Sequence, residues 1–118
     1  MRRTVIAVVD DMIFASKIRG AAQSLDVDVI FVRTIDQLMN APERLNLIVV
    51  DLHSQRINAL DVAMMAKADE KLRSVELLGF FSHVETELQR QALAAGYDTV
   101  VPRSVFSRDL AQIIGAEN

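Results

Sequence analysis

Asp10 and Asp11 stand at the end of one apolar run, Val5-Ile6-Ala7-Val8-Val9, and Asp51 stands at the end of another, Leu47-Ile48-Val49-Val50. If the two runs lie side by side, three carboxylates meet at one rim. Carboxylates at close range repel one another, so such a cluster is costly unless something offsets its charge. A hard divalent cation does this, and Mg2+ prefers carboxylate and water oxygens. One carboxylate then has the chemistry to attack a phosphoryl donor and become an aspartyl phosphate. A hydroxyl and a cation nearby would hold the phosphoryl oxygens. Ser82 and Arg103, each just past a further apolar run, supply those two groups. The simpler use of Asp10 and Asp11 is to end a strand and cap the helix that follows. His53 and His83 fall near the same rim, but no helix-spaced ligand pair accompanies them, so they read as exposed loop residues rather than a transition-metal site.

These residues must be positioned by the elements that carry them. Five apolar runs, 5–9, 27–32, 47–50, 77–81 and 100–101, alternate with segments of helical spacing. Runs 1, 3 and 4 are nearly continuous in apolar residues, as strands are when helices cover both faces of a parallel sheet. Phe14, Ile18, Ala21 and Leu25 share one helical face; so do Ile57, Leu60 and Met64, then Leu88, Ala92 and Ala95, and finally Phe106, Leu110 and Ile113. The short second segment, Ile35 to Asn40, has Thr34 to cap it and Pro42 to end it, Gly96 closes the fourth, and Ser104 or Ser107 is placed to cap the fifth. The pattern predicts a flavodoxin-like (βα)5 sandwich with a parallel sheet of order 2-1-3-4-5. In that order the strands ending in Asp10-Asp11 and Asp51 are neighbours at the point where ligands bind.

The bulk properties agree and exclude other classes. The 118 residues amount to one domain, and 51% hydrophobic residues suffice for a core. The formal net charge is −3 and the basic residues are scattered apart from Arg2-Arg3, which argues against direct nucleic-acid binding. The absence of cysteine rules out disulfides and thiolate sites and suits a cytoplasmic protein. No apolar run approaches membrane-spanning length, and Asp10-Asp11 interrupt the one stretch that superficially looks like a leader.

Taken together, Val-Val-Asp-Asp at 8–11, Asp51 after an apolar strand, Ser82 after the fourth strand, Ala95-Gly96-Tyr97-Asp98 before the fifth and basic Arg103 resemble the receiver domain of bacterial response regulators over nearly the whole chain. The resemblance implies that Asp51 is the phosphoacceptor. It implies that Asp11 ligates Mg2+ directly and Asp10 through water, that the backbone carbonyl of His53 is a further ligand, and that Ser82 is the hydroxyl that follows the phosphoryl group. It also implies a histidine kinase or phosphotransfer protein as donor. A downstream protein would dock on the face of helix 4, strand 5 and helix 5, where a homodimer would also form.

Four positions depart from that family. Arg103-Ser104 stands where receivers carry Lys-Pro, with Pro102 one residue early; Ser54-Gln55 stands where they carry Met-Pro; Ala59 occupies a glycine position; and Val100 occupies the aromatic position of strand 5, with Tyr97 facing elsewhere. Arginine keeps the charge of lysine but is a longer planar fork. The expected function is a stand-alone receiver, not an enzyme beyond its own phosphorylation and dephosphorylation, with no output domain and signalling by protein contact. The alternative is a pseudo-receiver that binds partners without phosphorylation. A small phosphate-handling enzyme of the same fold would need a glycine-rich phosphate loop, which is absent.

Overall fold

A computed structural model describes residues 2–115. Its elements run β1 (Thr4–Val8), α1 (Met12–Leu25), β2 (Asp28–Phe31), α2 (Ile35–Met39), β3 (Leu47–Asp51), α3 (Ala59–Ala68), β4 (Glu76–Phe81), α4 (Thr86–Ala95), β5 (Thr99–Pro102), α5 (Arg103–Arg108) and α6 (Leu110–Ile114). The five strands pair in parallel in the order β2-β1-β3-β4-β5. No helix among the described residues is long and apolar enough to cross a membrane.

Alternation along β3 divides the core. Ile48 and Val50 face one side with Leu38, Val62, Ala63 and Ala92. Leu47 and Val49 face the other with Phe14, Ile18, Phe106 and Ile114. All four strand residues are essentially buried, as a strand covered by helices on both faces requires.

Several helix faces differ from the expected ones. In α1 the buried face is Phe14, Ile18 and Ala22, while Leu25 is exposed, because the helix ends at Asp26 in the left-handed region (φ 61°) and Val27 turns into the core instead. In α3 the buried face is Ala59, Val62, Ala63 and Ala66; Leu60 is half-buried and Met64 is exposed. Small residues let α3 approach the sheet and α4 closely, and the larger side chains turn outward. The last helical segment breaks at Asp109 into α5 and α6, and Ile114 rather than Ile113 lies fully inside. Neither Ser104 nor Ser107 caps α5: Pro102 takes the N-cap position, and Ser107 accepts a hydrogen bond from Lys17 instead. The Val101–Pro102 peptide is trans. Thr34 caps α2 as expected, accepting from the Gln37 amide, and Gly96 closes α4 at φ 126°.

Candidate functional site

The register Val8↔Val50 sets the ends of β1 and β3 side by side. Asp10 and Asp11 leave β1 at this edge, and Asp51 is the last residue of β3. Ser82 follows β4 and Arg103 follows β5. The site residues therefore share the carboxyl edge of the sheet, as the alternation of strands and helices requires.

Each carboxylate has a different set of partners. One oxygen of Asp10 accepts the Ser54 hydroxyl at 2.8 Å and the other accepts the Gln55 amide at 2.7 Å. Asp11 is the N-cap of α1: Oδ1 accepts the amides of Ile13 at 2.8 Å and Phe14 at 3.1 Å. Its Oδ2 accepts from the Arg103 guanidinium at 3.0 Å. The amide of Phe14, then Arg103, holds the Asp11 carboxyl below the usual carboxylate range. Among the described residues the Asp51 carboxylate accepts only the His53 amide, at 2.9 Å through Oδ1. Burial pushes its carboxyl up, more than that amide pulls it down.

Arg103 is held from two directions. Besides Asp11, its guanidinium carbon lies 4.1 Å from the centre of the Phe14 ring, within cation–π range. Phe14 in turn meets Phe80 edge to face at 5.3 Å, and Phe80 stacks on Phe106 at 4.9 Å. The cation at the site therefore stands on the aromatic core of one sheet face. Ser82 is exposed and lines, with Met12, Ile13, Lys17, Arg103 and Ser107, an open groove of about 940 Å3; none of the three aspartates is in its lining, and Asp11 adjoins it through its pair with Arg103.

His53 is not the exposed loop residue that the sequence suggests. Its side chain is 22% exposed, Nδ1 lies 3.9 Å from Glu85, the ring meets that of His83 edge to face at 5.6 Å, and Nε2 is buried without a hydrogen-bond partner among the described residues. His83 is exposed, as expected. Tyr97 is buried and donates its hydroxyl to the carbonyl of Ala59 at 2.8 Å, so it is anchored away from the site, and burial pushes its phenol up. Val100 on β5 is half-buried against one face of the core.

The donors suit a hard divalent cation in kind, since three carboxylates and the His53 carbonyl offer only oxygen. In the arrangement described, however, Asp10 and Asp11 face protein donors, and no three side chains of the metal-binding types assemble among the described residues. Sequence reasoning missed Ser54 and Gln55 as partners of Asp10, and Phe14 as the seat of Arg103. Ser54 at a site-bordering loop position is a signal that was available; the ring under Arg103 left none, because Phe14 reads as an ordinary core residue.

No family model matches the sequence, and no curated protein matches it. Solved structures do match the backbone. The phosphorylated cyanobacterial phytochrome response regulator RcpA aligns at TM-score 0.80 and 18% identity, covering 98% of this chain and 90% of that one. A CheY-like response regulator receiver domain protein from Methanospirillum hungatei aligns at 0.80 and 19%, covering 97% and 91%. The Mn2+-bound form of the response regulator Rcp1 aligns at 0.75 and 16%, covering 96% and 89%. The motifs of the sequence and the likeness of the whole backbone agree: the chain has the receiver-domain fold of response regulators.

Proposed function

We propose that this chain is a receiver-type signalling module that accepts a phosphoryl group on Asp51 and transmits that state by contact with other proteins. The observation that carries the reading is the placement of Asp51. It ends the central strand β3, half-buried, with one oxygen held by the His53 amide and a carboxyl made more basic by burial. A carboxylate so placed is oriented and only partly neutralised, which suits a nucleophile. Its free oxygen attacks the phosphorus of a phosphohistidine on a kinase or phosphotransfer protein. A P–O bond forms, the P–N bond breaks, and the departing imidazole nitrogen keeps the electron pair and takes up a proton. Ser82 and Arg103, which line the same groove, are the hydroxyl and cation available to the phosphoryl oxygens. Asp10, Asp11, Asp51 and the His53 carbonyl would hold a divalent cation such as Mg2+, which supplies positive charge beside those oxygens when bound. Two structures of the same fold, phosphorylated RcpA and Mn2+-bound Rcp1, support this chemistry. The output surface is the α4–β5–α5 face, and the protein acts in the cytoplasm as a protein-binding module rather than an enzyme with a separate substrate.

Incubation with acetyl phosphate and Mg2+, followed by intact mass, tests this. A hydroxylamine-labile adduct present in the wild type and absent in Asp51→Asn is the expected result; no adduct despite measurable Mg2+ binding would defeat it. One observation favours a second reading, in which the module binds partners without phosphorylation: Asp10 and Asp11 are already satisfied by Ser54, Gln55 and Arg103. Absence of both the adduct and millimolar Mg2+ binding would support that reading.

A further inference from the structure

A second cleft lies at the carboxyl edge of β1 and β2, on the other side of Met12 from the Ser82–Arg103 groove, with Met12 lining both. It holds about 80 Å3, with Phe31 and Val32 among its lining and three arginines around it: Arg19 from α1, Arg33 after β2, and Arg56 from the β3–α3 loop. Three separate elements thus bring an arginine each to the lining of one small space. All three are exposed, and like charges held side by side repel one another unless a counter-ion offsets them. The chain carries ten arginines. Arg2, Arg90, Arg103 and Arg108 are paired with carboxylates, and Arg3 donates to a carbonyl. Among the described residues Arg19, Arg33 and Arg56 have neither a carboxylate nor a carbonyl partner, although the protein as a whole is acidic.

The one acid in the lining does not pair with them. Asp10 has both oxygens taken up by the Ser54 hydroxyl and the Gln55 amide. Arg19 is meanwhile held in place, its guanidinium carbon 4.7 Å from the centre of the Phe31 ring. A stacked guanidinium keeps its N–H edge free for a ligand, and arginine forks match phosphate oxygens. Three positive charges against one negative leave a surplus that a dianion balances, and the small cleft favours a compact ion over a large one. We infer that this cleft binds a phosphate-sized dianion, either inorganic phosphate or the phosphomonoester end of a small molecule. The inference does not depend on phosphoryl transfer to Asp51.

The test is a two-dimensional NMR titration of the Asp51→Asn protein with sodium phosphate, so that acceptor chemistry at Asp51 plays no part. Sodium chloride at matched ionic strength is the control. Saturable amide shifts at positions 31–33 and 55–56, with an affinity in the millimolar range, are expected. Arg33→Gln and Arg56→Gln, both exposed positions, should each weaken binding roughly tenfold, and Arg103→Gln should leave it unchanged. Tighter binding of glycerol 3-phosphate assigns the site to a monoester, and equal or weaker binding assigns it to the free ion. Shifts that merely follow ionic strength would overturn the inference, as would binding that survives Arg33→Gln and Arg56→Gln but disappears with Arg103→Gln.

Discussion

The ends of β1 and β3 carry the same residue type on adjacent strands, yet their carboxylates live in opposite environments. Asp11 is solvent-exposed, caps α1 and pairs with Arg103, and its carboxyl is held low. Asp51 is half-buried, its carboxylate has a single amide partner among the described residues, and its carboxyl is pushed up. Asp10 is tied to the β3–α3 loop through both oxygens. The difference teaches that an acidic cluster is not one object. The β1 end is satisfied by the protein and serves to hold the loop, the helix and Arg103. The β3 end keeps one hydrogen-bond partner among the described residues, the His53 amide.

The comparison rests most heavily on the anchoring of the β1 end, so the largest effect is expected there. Phe14→Ala removes the ring under Arg103 and opens the Phe14–Phe80–Phe106 cluster, and should cost about 3–5 kcal/mol in urea unfolding. A loss below about 1 kcal/mol would mean that Arg103 does not stand on the core in the way described. Asp11→Ala should lower the urea midpoint by less than Phe14→Ala does, because it removes the α1 cap and the Arg103 pair together. Asp11→Asn keeps an acceptor for the amides and should recover most of that loss.

Ser54→Ala sharpens the role of Asp10. It deletes the hydroxyl that bridges Asp10 and the Ile57 amide and should cost about 1 kcal/mol. The same change frees one oxygen of Asp10, so Mg2+ measured by calorimetric titration should bind more tightly, by roughly fivefold. Weaker binding would show instead that Ser54 prepares Asp10 for the ion.

The smallest effect is a pH dependence, and the two carboxylates contribute with opposite sign. Asp51 holds its proton more firmly in the folded protein than in the unfolded chain, so ionising it weakens the fold. The stability it gives is complete at low pH and declines as pH rises through the carboxylate range and past the raised folded value. Asp11 holds its proton less firmly when folded, so its contribution is present above the ordinary carboxylate value and is lost as pH falls through the lowered folded value. Urea midpoints measured across the acid range should therefore lose the first slope in Asp51→Asn and the second in Asp11→Asn. Identical profiles for the two variants would remove the contrast between the strand ends.

Much of this was legible in the residues. Nearly continuous apolar runs marked β1, β3 and β4 as doubly covered strands, and the position of the acids after those runs placed them at the carboxyl edge. Thr34 and Gly96 marked the ends of α2 and α4. The helix faces were less legible. In α3 the larger residues Leu60 and Met64 attract the pattern, but the buried face is made by Ala59, Val62, Ala63 and Ala66.

The order of elements, the parallel sheet and the placement of Asp10, Asp11 and Asp51 at its carboxyl edge were set by the sequence alone, because hydrophobic period and residue type act locally along the chain. Only the tertiary structure decided which oxygens are already taken. Ser54 reaches Asp10 across 44 positions, and Arg103 reaches Asp11 across 92. Hydrogen bonds of that span depend on how two loops approach one another over a packed core. The core fixes the approach through contacts such as Phe14 with Phe80 and Phe106, which no local pattern records.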